Sequence, residues 1–304
     1  MRTPARGRAG GKVILLGEHV VVYGRPAIAT GLPLGLEAEV SAGDGPALAS
    51  EHDGDPRGAD LVRAACAATG LDPARVVVRV RSELPPGRGL GSSAALAVAT
   101  LRACAAAAGR TLSTDEELAL GRRLEGVFHG TPSGIDPAAA ALGRCFGFVR
   151  GEPPVVTPLA PPAPLPLVVA FGACPRDTGA AVGGLRARWD AEPATYEALF
   201  DAVAAVVARG AEALLRGDLT GLGAAFDENQ TLLERLGVSS DEIGTLVATA
   251  RRLGALGAKL TGGGAGGAII ALATDPETLA ARLADATGVQ ALALRVGRAQ
   301  EVAA

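Results

Sequence analysis

The chain has 304 residues, 48% of them hydrophobic and 20% charged, and a formal net charge of −3. That is ample apolar material for a sizeable core, and with no Lys/Arg block it offers no electrostatic reason for a nucleic-acid or anionic-membrane partner. At about 150 residues per domain the length suggests two domains or one large one. Six Phe, two Tyr and one Trp leave the core to Ala, Leu and Val. The four cysteines, Cys66, Cys104, Cys145 and Cys174, include no CxxC pair, and with only three His they argue against a zinc site and for a reduced, cytoplasmic setting. The basic start "MRTPARGRAGGKVILLGEH" has an apolar run too short for a signal peptide, and no apolar stretch reaches the ~18 residues of a membrane span.

In chain order, "KVILL" (12–16) and "PAIAT" (26–30) read as short buried strands joined by a turn-rich segment. "LEAEV" (36–40) and "RVVVRVR" (75–81) alternate apolar with polar residues, as half-buried strands do. The Gly-rich "PPGRGLGSSAAL" (85–96) then opens an Ala-dominated helix ending at Gly109. It has two readings: a tight turn with Ser92 as N-cap, or a backbone cradle for an anion at the positive end of a helix. It is neither a Walker A loop, since no Lys follows in register, nor GxGxxG, since position 92 is Ser.

"STDEELALGRRLEGVFHG" (113–130) reads as a helix with a Ser113/Glu116 capping box, a Leu120, Leu124 and Val127 face, and Gly130 as its stop. Glu125 and His129, four apart, would share one face. In "HGTPSGID" (129–136) Asp136 leaves a turn, either as the cap of the next helix or as half of a carboxylate pair working on Mg²⁺ and a hydroxyl. The proline-rich "GEPPVVTPLAPPAPLP" (151–166) reads as an edge or linker near a domain boundary. Beyond it come a buried strand "LVVAFG" (167–172), a helical region over 180–254 with a second capping box at Ser239 and Glu242, and an end-piece. That end-piece holds "AKLTGGGAGGAIIALA", a helix over 276–286 and the strand-like "ALALRV". "GGGAGG" (262–267) satisfies GxGxxG literally, but "AIIALA" after it reads as a strand, which excludes a dinucleotide fingerprint. The order of elements suggests an α+β or mixed α/β protein.

Four segments, "GEHVVVYGRPAIA", "GLGSSAA", "HGTPSGID" and "KLTGGGAGG", stand in the order of the signature motifs of the GHMP kinases. This superfamily comprises galactokinase, homoserine kinase, mevalonate kinase and phosphomevalonate kinase, and the motifs are most similar to those of the mevalonate kinases. The resemblance implies a two-domain α+β fold, an N-terminal ribosomal-protein-S5-like domain (1–160) and a C-terminal ferredoxin-like domain (161–304) with the active site between them. It implies an ATP- and Mg²⁺-dependent kinase whose acceptor is a small alcohol, mevalonate, with homoserine, phosphomevalonate or a sugar as alternatives and a non-catalytic ligand-binding homologue as the rival from another class. Pro86, Gly87, Gly89, Leu90, Gly91, Ser92, Ser93 and Ala94 would hold ATP. Ser93 and Glu125 would hold Mg²⁺, and Asp136 and Lys12 would flank the reacting hydroxyl. Glu18, His19, Thr178, Gly262 and Gly263 would lie near the acceptor. A homodimer is consistent with the family.

The sequence departs from the family pattern at Gly263, Ala265, Pro137 and Gly179. None of these removes a catalytic group; Pro137 and Gly179 bear on which acceptor is used.

Overall fold

The structure is a computed structural model that describes residues 4–49, 57–85, 87–128, 133–173, 178–264 and 266–297. Pro86, His129 and Ala265, and the side chain of Thr178, lie outside the described residues. The chain divides into two compact units: Met1–Lys12, Gly31–Pro86 and Leu90–Gly143 form the first, and Val13–Thr30, Gly87–Gly89 and Arg144–Ala304 the second.

Unit one carries the first part of β1 (Ala5–Leu16) and most of β2 (Ala27–Ala42). Leu36–Ala42 of β2 pairs antiparallel with β4 (Val76–Ser82), and the short β3 (Ala47–Ala49) pairs parallel with β4. Val76, Val78 and Val80 are buried while Arg79 and Arg81 are exposed, the period-two pattern of a strand covered on one side. The two strands expected at 26–30 and 36–40 are one. Glycine and proline between them suggested a break, yet β2 runs straight through Gly31, Pro33 and Gly35. A Cβ on Gly31 would overlap the Gly143 backbone and one on Gly35 the Ala9 carbonyl, so these glycines permit close backbone approach and make no turn.

Four helices complete the unit: α1 (Arg57–Thr69), α2 (Ser92–Ala107), α3 (Thr114–Glu125) and α4 (Ile135–Leu142). The central one is α2, which packs against α1, α3 and α4 and buries residues on every side, from Ala94 through Val98 to Ala105. Alanine is the best helix former and the smallest side chain that still excludes water, which suits a helix hemmed in all round. The Ser113/Glu116 capping box opens α3, with Glu116 N–H donating to Ser113 Oγ at 3.2 Å and Ser113 N–H to Glu116 Oε2 at 2.9 Å. The helix ends at Glu125, and the expected partner His129 and stop Gly130 lie outside the described residues.

In unit two the Ala27–Ala29 end of β2 pairs with β5 (Phe146–Val149), and β5 with β6 (Val155–Pro158), a four-residue edge strand within the proline-rich stretch. A second sheet holds β7 (Leu165–Phe171), β8 (Gly257–Thr261), β9 (Ala268–Leu272) and β10 (Ala291–Val296), antiparallel in the spatial order β10-β7-β9-β8. Between β7 and β8 run α5 (Thr178–Ala191), α6 (Pro193–Arg216), α7 (Leu219–Arg235) and α8 (Asp241–Arg252), and between β9 and β10 runs α9 (Pro276–Thr287). Taking the helical run as one insertion, this is the βαββαβ order of a ferredoxin-like sheet. Every residue of β7, β8 and β9 is buried, which explains the unbroken apolar runs of β7 and β9; β8 buries Lys259 and Thr261 as well.

Two caps differ from expectation. Ser240, not Ser239, caps α8, and the side chain of Glu242, in the first turn, accepts from Ala173 N–H at 2.5 Å. Ser239 instead accepts from Gln230 Nε2 at 3.2 Å. Among the described residues no helix is long and apolar enough to cross a membrane.

Candidate active site

In unit one the chemistry gathers at the start of α2. Gly91, not Ser92, is the N-cap residue: it adopts the left-handed conformation at φ 75° and supplies no side-chain cap. The reason is steric. A Cβ on Gly91 would stand 2.7 Å from Lys12 Cγ, so the lysine stem occupies the space that a capping side chain would need. The helix therefore presents its first N–H groups, and the positive end of a 16-residue dipole, without a side-chain acceptor at the cap. That is the arrangement which favours an anion. Gly87 and Gly89 upstream are also left-handed, and Arg88 between them donates to the Gly172 carbonyl at 2.8 Å and lies 5.9 Å from the Phe171 ring centre, both within unit two. Nothing in the motif reveals that tether.

Lys12 is 4% exposed, with its backbone N–H donating to the Leu90 carbonyl at 2.8 Å and its Nζ 3.1 Å from Asp136 Oδ1. Asp136 lies in the first turn of α4, behind the left-handed Gly134, so it is no cap: the helix dipole favours its negative charge, and about a quarter of its side chain remains exposed. Glu125 ends α3 and is 4% exposed, and its Oε2 is buried with no hydrogen-bond partner. Burial pushes its carboxyl up to about 8; the neighbouring Asp136 adds to this, and the Lys12 ammonium opposes it. One lysine, two acids and a helix N-terminus are thus brought together in unit one.

A buried carboxylate oxygen is costly unless a donor or a cation meets it. Mg²⁺ is a hard cation that takes oxygen ligands, keeps several waters and needs only one or two protein groups. Glu125 fits that demand, and Ser93, on the first turn of α2, is an oxygen donor of the right type. Among the described residues no group of three His, Cys, Asp or Glu could form a protein-only metal cage.

A separate cluster lies in unit two. Glu18 is wholly buried and accepts from Lys259 Nζ at one oxygen and from Asn229 Nδ2, at 3.0 Å, at the other. Burial pushes the Glu18 carboxyl up and the Lys259 ammonium down, each opposed by the other's charge. His19 follows with φ 63°, the only non-glycine residue at positive φ among the described residues. It is 8% exposed, bonds to the Gly263 backbone, and leaves Nε2 without a partner. The left-handed Gly262 and Gly264 shape the turn beside it, where a Cβ on Gly264 would strike the Val238 carbonyl. Thr261 Oγ donates to the Ile14 carbonyl at 3.0 Å and accepts from Ile14 N–H at 3.1 Å. Sequence reasoning missed Thr261, Asn229 and Lys259.

His19 has a measurable consequence for stability. Burial first, then the Lys259 charge, lowers its pKa to about 4, against about 6.5 in an unfolded chain. The native state therefore binds fewer protons than the unfolded state between these values. The stabilisation is complete above about pH 6.5 and is lost as pH falls towards 4, about 3 kcal/mol in all. Urea unfolding across this range should show that acid limb in the wild type and a flatter one in His19→Gln; equal slopes would contradict the buried neutral imidazole.

The chain matches two family descriptions, "GHMP kinases N terminal domain" over residues 58–144 and "GHMP kinases C terminal" over residues 211–288. It is 35% identical to a mevalonate kinase of Pyrococcus horikoshii over 87% of each chain, and 36% identical to one of Aeropyrum pernix over 91% of each. Among solved structures it resembles an L. major mevalonate kinase in complex with R-mevalonate, with a TM-score of 0.86, 30% identity, and coverage of 97% of this chain and 96% of that one. A mevalonate kinase of Methanococcus jannaschii, at 21% identity and a TM-score of 0.82 over 97% and 99% of the two chains, shares the fold. The protein belongs to the GHMP kinases and has their two-domain fold. It is an ATP-dependent phosphotransferase, and these relatives carry the mevalonate kinase name.

Proposed function

We propose that the protein phosphorylates mevalonate at its C5 hydroxyl with ATP and Mg²⁺, giving 5-phosphomevalonate and ADP. The observation that carries this reading is the buried Lys12 ammonium 3.1 Å from Asp136 in unit one, which also holds the uncapped start of α2. Phosphoryl transfer asks a protein chiefly to position the reactants and stabilise charge, and these groups do both. Leu90–Ser93 main-chain amides grip the triphosphate. The acceptor oxygen attacks the γ-phosphorus, the bond to the β-phosphate oxygen breaks, and the hydroxyl proton passes to Asp136. Lys12 holds the Asp136 carboxylate in place and offsets charge building on the transferring group. Ser93 and Glu125 would hold Mg²⁺, which when bound neutralises charge on the phosphate oxygens. By family resemblance His19, Gly262, Gly263 and Thr178 are assigned to the acceptor's polar groups. The reading places the protein in the cytoplasm, acting on small molecules with no nucleic-acid or membrane partner; a homodimer is the assembly to check by sedimentation.

The test is coupled ADP release with mevalonate, phosphomevalonate, homoserine and galactose. Mevalonate should give the highest kcat/KM by at least about 100-fold, because a site built to pair a substrate's polar groups rejects analogues that leave them unpaired. A higher value for any other acceptor overturns the assignment. Glu125→Gln keeps the shape of the side chain but loses the charge, and should raise the half-saturating Mg²⁺ concentration by about 10-fold or more. An unchanged metal titration would remove Glu125 from the metal site.

A further inference from the structure

The pair of full charges inside unit two calls for an explanation. Lys259 and Glu18 are both completely buried, and Lys259 lies in a strand whose five residues are all buried. A well-packed apolar pair at such a place is often as stable or more so, so a buried ion pair is weak evidence for stability as its purpose. What it supplies is a defined geometry. Lys259 Nζ donates both to Glu18 and to the Leu260 carbonyl at 2.5 Å, and Asn229 takes the other Glu18 oxygen from α7. Two separate elements therefore grip one carboxylate.

The gripped residue stands between two residues at positive φ. Gly17, before it, has φ 91° and leaves no room for a Cβ against Pro26 and Ala27; His19, after it, has φ 63°. A residue with a Cβ holds such a conformation only where its surroundings over-determine it, at a cost of about 1–3 kcal/mol. The Glu18 anchor provides that determination. Two residues beyond the end of the strand that contributes Lys259 stands Gly263, whose backbone bonds to His19. One strand thus fixes both the residue before the imidazole and the turn beside it.

We infer that Lys259 and Asn229 are positioning residues for acceptor binding: by clamping Glu18 they hold His19 in its positive-φ conformation and set its imidazole against Gly262–Gly264. Glu18, wholly enclosed, then acts through His19 and does not itself touch substrate. This rests on the acceptor-phosphorylating reading above.

The experiment compares wild type, Asn229→Ala, which keeps the ion pair, and Lys259→Met, which removes its cation. A merely structural role lowers the folded, active fraction and leaves both Michaelis constants alone. The positioning role raises KM for mevalonate about 10-fold or more in both variants, while KM for ATP stays within about threefold. Glu18→Gln combined with Lys259→Met restores neutrality and keeps an Asn229 acceptor, so it should recover most of the mevalonate KM lost in Lys259→Met; strictly additive losses overturn the inference. An unchanged mevalonate KM, an equal rise in ATP KM, or failure of both single variants to fold also overturns it. A wild type that turns over no mevalonate fails the functional reading instead. The His19 imidazole resonances, assigned with His19→Gln, then decide: shifted in Asn229→Ala they support the clamp, and superimposable on wild type they refute it.

Discussion

Replacing Asp136 by Asn should lower kcat about 10²- to 10⁴-fold, the span expected when a positioned general base is removed. Asn keeps the size of the side chain and its place in the first turn of α4, so the helix itself survives. It cannot accept the hydroxyl proton, and it turns an ion pair with Lys12 into a contact between two donors or a single weaker bond. KM for ATP should move little, because the triphosphate is assigned to main-chain amides at the start of α2. The measurement is steady-state kinetics with both substrates varied. Turnover near the wild-type rate would reduce Asp136 to an orienting group and shift the burden of lowering the hydroxyl's pKa to Lys12.

Lys12→Met should cost about 10²- to 10³-fold in kcat, equivalent to about 3–4 kcal/mol of lost charge stabilisation in a site shielded from water. Met matches the stem that lies against Gly91, so packing there is largely preserved. The charge is not. Glu125 and Asp136 would lose the ammonium that offsets their repulsion, and Glu125, already held at about 8, would lose the one influence that pulls it down. Stronger retention of a proton on Glu125 would also weaken its claim on a metal ion. Transfer should suffer more than ATP binding; equal losses in kcat and in ATP affinity would contradict the assigned position of Lys12.

How far the sequence revealed this molecule depended on the range over which each feature is determined. Local features were legible. The Ser113/Glu116 box, the Gly-rich entry to an Ala-rich helix and the hairpin around Gly262–Gly267 follow from chain neighbours alone. Features set by distant contact were not. The glycines of β2 look like turn formers until the backbones packed against them are known. Ser92 looks like a cap, but the helix already begins at Ser92, and its cap position falls to Gly91, where the Lys12 stem leaves no room for a Cβ. Ser239 and Glu242 fit the capping pattern as well as Ser240 does, but Glu242 is drawn to the backbone of Ala173. Lys12, Glu125 and Asp136 could be named because they lie within recognisable motifs. The partners of Glu18 lie 211 and 241 residues away, at Asn229 and Lys259, and no spacing rule reaches that far. Lys259 in particular reads as an ordinary strand-end lysine, since a charge with no visible partner is normally solvated.

The most direct test of the account is a crystal structure of the protein with mevalonate and a non-hydrolysable ATP analogue. The account predicts phosphates held by the Leu90–Ser93 amides and the acceptor hydroxyl within about 3 Å of an Asp136 carboxylate oxygen, with Lys12 alongside. Phosphates seated elsewhere, or a hydroxyl beyond the reach of Asp136 and Lys12, would contradict it.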